Sequence, residues 1–262
     1  MPNISEMSGA PRRELHVFYV LDTSGSMEGL RIATLNRAMT ETVTVLQEQA
    51  LRNADAQLKI AVLEFNTIPR WLNPAGPERM EDFIFENLTA GGLTEVGAAL
   101  EELGSKLSRE KFLKSMTGAY LPIIIFMTDG YATDDYTAEL SKIQKNRWFA
   151  SSVKIGFAIG DEPDANMIAQ IVGNSEAVIQ TDDLALFARL LKWASVTASM
   201  MCSKSHTSYD IITGGDIIAQ VTRNNSISAS SVIPQSAVSV SPDVDPNDVW
   251  DDGDLWDDDS FN

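Results

Sequence analysis

The sequence predicts a doubly wound α/β domain, a mostly parallel sheet with helices on both faces. Three observations carry this. Strand-like and helix-like segments alternate from about residue 14 to residue 200. Several strand-like segments are unbroken apolar runs such as Ile123-Ile124-Ile125-Phe126, the pattern of strands buried on both sides. Glycine- and hydroxyl-rich loops stand next to these elements, where such folds place their ligands.

Taken in order, residues 15–21 (LHVFYVL) are too short for a core helix and rich in β-branched and aromatic types, so they read as a buried strand ending at Asp22. After DTSGSMEG, the residues Leu35, Met39, Val43 and Leu46 recur at helical spacing. Residues 58–65 read as a strand, 94–113 as a helix, 121–127 as a strand, 137–149 as a helix and 153–160 as a strand. A short helix (165–173), a short strand (EAVIQT) and a last helix follow, the last with Phe187, Leu190, Leu191 and Ala194 on one face. Beyond about Met201 the alternation fails. A short strand pair is expected around Gly214 and Gly215.

The boundaries that follow are a flexible N-terminus over 1–13, a folded domain over 14–202, an extension over 203–223 and a disordered Ser-rich linker with an acidic tail over 224–262. The tail has too little apolar surface to offset the entropy of ordering it.

The chain has 262 residues, 44% hydrophobic and 22% charged, enough for one large core. No apolar run approaches a membrane span, and the start has no apolar stretch that could serve as a secretory signal, so a cytoplasmic protein is expected. A single cysteine, Cys202, excludes an internal disulfide and a thiolate zinc cluster; it reads as a small apolar filler. Two distant histidines, His16 and His206, leave little material for a histidine-based triad. His16 reads as a packing or surface residue at the edge of the first strand.

The formal net charge is −17. Nine aspartates and no basic residue follow Arg223, which leaves 20 basic and 28 acidic residues before them, a net of −8. No electrostatic footprint for nucleic acid exists on either part.

The chemistry lies in three loops. Asp22, Ser24 and Ser26 form D-x-S-x-S after the first strand, where alternate side chains can project to one side. Thr94 in Gly91-Gly92-Leu93-Thr94 and Asp129 in Thr128-Asp129-Gly130 stand in two further loops at the same sheet edge. Five hard oxygen donors without imidazole or thiolate select magnesium, manganese or calcium over zinc or copper. Alone, DTSGS could be an N-cap turn with Ser26 or a neighbour capping the next helix. Asp134 and Asp135 read as an N-cap pair opening the helix after them, not as metal ligands.

These motifs resemble the metal-ion-dependent adhesion site (MIDAS) of the von Willebrand factor A family: D-x-S-x-S, then a threonine, then an aspartate in a T-D-G context. The resemblance covers roughly residues 14–200 and no motif member is missing. FYVLDTSGSM, GGLTEVGAAL, MTDGYATDD and FARLLKWAS resemble more narrowly the bacterial TerY-type branch, named for tellurium resistance. The resemblance implies a non-enzymatic protein-binding module. Ser24 and Ser26 would ligate the metal through their hydroxyls, and Thr94 directly or through water. Asp22 and Asp129 would act mostly through waters and hydrogen bonds, leaving the cation free to take a partner's carboxylate. The branch implies an association with protein kinases and PP2C-type phosphatases in stress or defence systems.

The competing class is a metal-dependent phosphatase of the haloacid-dehalogenase type, which needs a second aspartate two residues after the nucleophile; Ser24 stands there instead. In the tail, Trp250, Leu255, Trp256 and Phe261 among aspartates resemble an acidic-hydrophobic docking peptide for a basic partner or for its own domain. Ser226, Ser228, Ser230, Ser231, Ser236, Ser239 and Ser241 are candidate phosphosites.

Overall fold

The computed structural model describes residues 12–115, 118–160, 163–204 and 212–225. The sheet is built from β1 (Arg13–Asp22), β2 (Ala56–Phe65), β3 (Arg70–Trp71), β4 (Glu78–Arg79), β5 (Ile123–Thr128), β6 (Val153–Ile159) and β7 (Val178–Thr181). Its order is β3-β2-β1-β5-β6-β7, with β4 also on β2. β1, β2, β5, β6 and β7 pair in parallel, while β3 and β4 are short antiparallel additions at the β2 edge. The chain leaves β1 for β2 on one side and later returns to β5 on the other. The ends of β1 and β5 therefore form the switch point at which doubly wound sheets open a crevice.

Alternation within the strands splits the core in two. On one face, Leu15, Val17, Tyr19 and Leu21 of β1 and Ile123, Ile125 and Met127 of β5 meet α1 (Leu30–Arg52) and α6 (Leu184–Lys204). On the other, Phe18, Val20, Ile124 and Phe126 meet α2 (Val96–Lys106) and α5 (Ala165–Val172). Between these lie α3 (Thr137–Ile143) and α4 (Arg147–Ser151), and α7 (Gly214–Asn225) closes the described chain. The five strands expected between residues 15 and 181 form.

Several expectations need correction. The helix expected over 94–113 stops at Lys106, and the next residues turn back, with Asn146 Nδ2 donating to Leu107 O at 3.0 Å. The helix expected over 137–149 is two helices because Asn146 caps α4, accepting from Trp148 N and Phe149 N, which ends α3. Residues around Gly214 and Gly215 start a helix, not a strand pair. Thr213 Oγ1 accepts from Asp216 N while Asp216 Oδ2 accepts from Thr213 N, a reciprocal capping box. Ile217, Ile218 and Val221 of α7 then enter the core. Gly214 is required there, since a Cβ would lie 1.8 Å from Lys154 O.

Two further corrections concern the single residues Arg13 and His16. Arg13, assigned to the flexible N-terminus, already belongs to β1. α6 has the length and composition of a membrane-crossing helix over Leu184–Ser203, although Arg189 and Lys192 interrupt its apolar run. In this fold its Phe187, Leu190, Leu191, Ala194 and Ala198 are buried in the core. Cys202 is buried on the same helix, and burial pushes its thiol up to about 12, as fits an inert apolar filler. His16 is no edge residue: it is buried in the central strand, stacked on Phe18 with ring centroids 6.4 Å apart. The expected linker and acidic tail beyond Asn225, residues 1–11, and His206 lie outside the described residues.

Candidate metal site at the ends of β1 and β5

Asp22 is the last residue of β1 and is fully buried. Its Oδ1 accepts from Ser24 N at 2.7 Å, which folds the chain into a tight turn, and its Oδ2 accepts from Thr128 Oγ1 at 2.5 Å. Burial pushes the Asp22 carboxyl above its ordinary range against the lowering effect of these bonds, and the nearby charge of Asp129 pushes the same way.

The turn sets Ser24 and Ser26 side by side. Their hydroxyl oxygens are 2.9 Å apart, and Ser26 Oγ donates to Asp129 Oδ1 at 2.6 Å. Ser24 is buried and Ser26 is exposed, so the row of oxygens runs from the sheet interior to the surface. Gly25 and Met27 belong to a single 3-10 turn (Gly25–Met27), and neither Ser24 nor Ser26 caps α1, whose N-cap is Gly29 with φ 76°. The simple capping explanation of DTSGS therefore fails.

Backbone bonds bring the threonine loop in. Gly91 N donates to Thr23 O at 2.8 Å and Gly25 N to Gly92 O at 2.9 Å. Gly92 has φ +83°, and a Cβ there would sit 2.6 Å from Thr67 Oγ1, so this approach needs glycine. Thr94, buried, is joined to the loop after β5: its N donates to Thr133 Oγ1 at 3.0 Å and its O accepts from Thr133 N at 2.9 Å. Asp22, Ser24, Ser26 and Asp129 thus form one continuous hydrogen-bonded row, and Thr94 is fixed to the same edge through main-chain contacts.

Asp134 and Asp135 are not a pair. Asp135 Oδ1 accepts from Thr137 N at 3.1 Å, but Asp135 stands one residue before the N-cap of α3, which is Tyr136 without a side-chain capping bond, so neither aspartate is the expected N-cap. Asp134 Oδ2 instead accepts from Ala98 N in the first turn of α2, which holds that helix against the loop that follows β5.

Sequence reasoning passed over two members of the site. Thr128 was visible in T-D-G, but its bond to Asp22 depends on the β1–β5 pairing. Arg31 carries no motif signal at all. It reaches back from the first turn of α1, and its Nη1 donates to Asp129 Oδ2 at 2.7 Å and to Ser26 O at 3.2 Å.

The donor set is one for a hard cation: two hydroxyls and a carboxylate in contact, with a second carboxylate behind them. Among the described residues no three His, Cys, Asp or Glu side chains gather as a metal cluster, so an ion here would rest largely on neutral oxygens. Leu30, Ile68, Leu93 and Tyr131, large apolar side chains between 52% and 74% exposed, stand next to Arg31, Thr67 and Thr94 and two residues after Asp129 in the chain. Exposed apolar side chains on the segments of a polar site are expected of a protein-binding face.

Residues 16–192 match the family model of the von Willebrand factor type A domain. No curated protein matches the sequence. Among solved structures the fold is similar to a von Willebrand factor type A protein from Catenulispora acidiphila, 18% identical with TM-score 0.52 over 71% of this chain and 43% of that one. It is also similar to proximal thread matrix protein 1 of the mussel byssus with a zinc-occupied MIDAS motif, 19% identical with TM-score 0.53 over 69% of this chain and 47% of that one. The PilB minor pilin of Streptococcus sanguinis is 14% identical with TM-score 0.53 over 73% of this chain and 63% of that one. The chain spans less than half the length of the first two, and at these identities the likeness is one of fold.

Proposed function

The chain belongs to the von Willebrand factor type A family, and from that premise we propose that the oxygens at the ends of β1 and β5 hold a divalent cation through which the domain grips an acidic residue of a partner protein. Domains of this family are typically metal-dependent protein-interaction modules, generally without enzymatic activity. The observation that carries the reading is the row Ser24 Oγ, Ser26 Oγ and Asp129 Oδ1, with neighbours 2.9 and 2.6 Å apart.

In this reading Ser24 and Ser26 ligate the ion through their hydroxyls and Thr94 joins directly or through water. Asp22 acts from behind: both of its oxygens already accept bonds, from Ser24 N and Thr128 Oγ1, so it orients the turn and supplies charge without facing the ion. Asp129 works through Ser26. A cation bound mainly by neutral oxygens keeps its attraction for an external anion, and that is the chemistry it would supply. Magnesium or manganese suits the donors best, with calcium as the next choice. Zinc occupies the corresponding motif in the mussel protein and belongs in the same test. The exposed Leu30, Ile68, Leu93 and Tyr131 favour a partner whose acidic residue is flanked by apolar side chains.

The finer part of the reading is a TerY-like role in a bacterial stress or tellurium-resistance system, in the cytoplasm, beside a protein kinase and a PP2C-type phosphatase. It rests on sequence resemblance alone. The acidic tail would dock to a basic partner or to its own domain.

Against the phosphatase alternative stands Asp22 itself. A nucleophile must reach its substrate, and this carboxylate is fully buried with Ser24 where the acid/base aspartate is needed.

Calorimetric titration with magnesium and manganese tests the reading. Wild type should bind one ion at the site, and the folded Ser24→Ala/Ser26→Ala variant should lose that binding. Equal titration of the two proteins would remove the assignment. Metal-dependent phosphate release abolished by Asp22→Asn would restore the phosphatase.

A further inference from the structure

We infer that Arg31 is a resident cation of the proposed metal site, offsetting the negative potential that Asp129 lends the divalent ion through Ser26 and so holding the ion's affinity down. The inference rests on the metal reading above and concerns a residue outside the motif.

The geometry is specific. Arg31 leaves the first turn of α1 and turns back over the D-x-S-x-S loop, where one nitrogen, Nη1, bonds both Asp129 Oδ2 at 2.7 Å and Ser26 O at 3.2 Å. Asp129 has no exposed side-chain surface, while the Arg31 side chain is about one-third exposed. The guanidinium also lies against Gly160 after β6, where φ is +106° and a Cβ would come within 3.0 Å of Nη2. Three separate segments thus make room for this one side chain: the turn after β1, the loop after β5 and the end of β6.

Asp129 is consequently shared. One oxygen accepts from the ligand hydroxyl of Ser26 and the other from Arg31. A buried carboxylate already neutralised by a guanidinium offers less negative potential to a second cation, and the guanidinium repels a divalent ion placed among the same oxygens. Surface ion pairs are weak, but this one has its acidic partner fully desolvated, where Coulomb terms count for more. A partner's carboxylate changes the balance. It ligates the ion and meets the guanidinium at once, so ion and partner acid should bind cooperatively, with Arg31 holding the ion-only state weak.

The experiment compares magnesium and manganese titrations of full-length wild type, Arg31→Gln and Arg31→Lys. Ser24→Ala/Ser26→Ala serves as the blank for ions taken up by the tail aspartates. Thermal melts confirm that each protein is folded. Removing the charge should tighten ion binding about tenfold in Arg31→Gln, as expected for loss of a like charge near the ion at intermediate dielectric. Arg31→Lys, which keeps the charge, should stay within about threefold of wild type on the same Coulomb argument. Arg31→Gln binding at wild-type strength or weaker would overturn the inference and make Arg31 a support for the loop. Tightening by Arg31→Lys as large as by Arg31→Gln would also overturn it, since geometry rather than charge would then set the affinity. If no protein exceeds the blank, the metal reading itself fails and this inference with it, an outcome distinct from the other two.

Discussion

Thr128 Oγ1 donates to Asp22 Oδ2 at 2.5 Å, joining the ends of two neighbouring parallel strands across 106 residues of sequence. The same threonine oxygen accepts from Gly130 N at 3.2 Å. One hydroxyl therefore holds the buried carboxylate of the first loop and shapes the turn that presents Asp129. Removing it strands a fully buried charge. Thr128→Ala should cost about 2 to 3 kcal/mol in urea unfolding, the penalty of leaving a buried charged acceptor short of a donor. Thr128→Ser, which keeps the oxygen, should cost clearly less. Equal losses would show that the methyl packing, not the hydroxyl, matters.

A second expectation follows from the buried group at the other end of β1. His16 lies 3.3 Å from Glu14, off hydrogen-bonding geometry, while Lys59 pairs with Glu14 at 2.9 Å. Burial holds the His16 imidazole below its ordinary range, outweighing the pull of Glu14, and the Lys59 charge adds to the lowering. Below pH 6.5 the unfolded chain therefore takes up this proton before the folded one does, and stability falls as pH drops, by at most about 1.4 kcal/mol per pH unit from this group. Glu14 adds to acid sensitivity in a lower window. Burial pushes it up, but His16 and Lys59 outweigh that, so its net shift is down and the stability it contributes is lost as pH falls below 4.5. Urea midpoints at pH 7 and pH 5.5 should differ more in wild type than in His16→Leu. Parallel behaviour of the two proteins would remove His16 from the account.

Docking of α7 gives a third. A Cβ at Gly214 would meet Lys154 O, a main-chain atom that cannot swing aside, at 1.8 Å. Gly214→Ala should lower stability by about 2 kcal/mol or more through overpacking. The amides of Gly214–Asn225 should also exchange faster with solvent. Wild-type protection over α7 in the variant would show that the helix start can shift at little cost.

The elements legible in the sequence were those whose cause is local. Apolar-rich runs, unbroken in β5 and interrupted by His16 in β1, Lys59 and Glu64 in β2 and Lys154 in β6, marked these strands because both faces of the sheet are covered. The five candidate site residues were legible because D-x-S-x-S, G-G-L-T and T-D-G each stand next to a recognisable element. Two signals were present but under-read. Asn146 ended one helix and capped another, and Thr213-x-x-Asp216 opened α7 in a stretch whose paired glycines suggested a turn. Arg31 was beyond reach of any pattern, because its partner Asp129 lies 98 residues away and only the β1–β5 adjacency makes them neighbours.

The last prediction concerns a residue that touches no ion. Gly92 lies between the D-x-S-x-S turn, through its bond from Gly25 N, and the loop after β2, through Thr67. Gly92→Ala introduces two separate costs. The left-handed φ of +83° disfavours any Cβ by about 1 kcal/mol, and the Cβ would lie 2.6 Å from Thr67 Oγ1. Together they should destabilise the protein by about 2 kcal/mol and weaken metal binding, since Gly92 O anchors the turn that aligns Ser24 and Ser26. Only the second cost depends on the threonine hydroxyl. The Thr67→Ala background loses the bond from Leu93 N to Thr67 Oγ1 at 3.0 Å, which lowers stability by itself, but it clears the contact. Introducing Gly92→Ala into that background should then cost about 1 kcal/mol less than in wild type, a coupling readable in a double-mutant cycle of urea unfolding. The metal affinity lost through Gly92→Ala should recover in part in the double variant. Strict additivity of the two substitutions would mean that backbone conformation alone makes glycine necessary at this position.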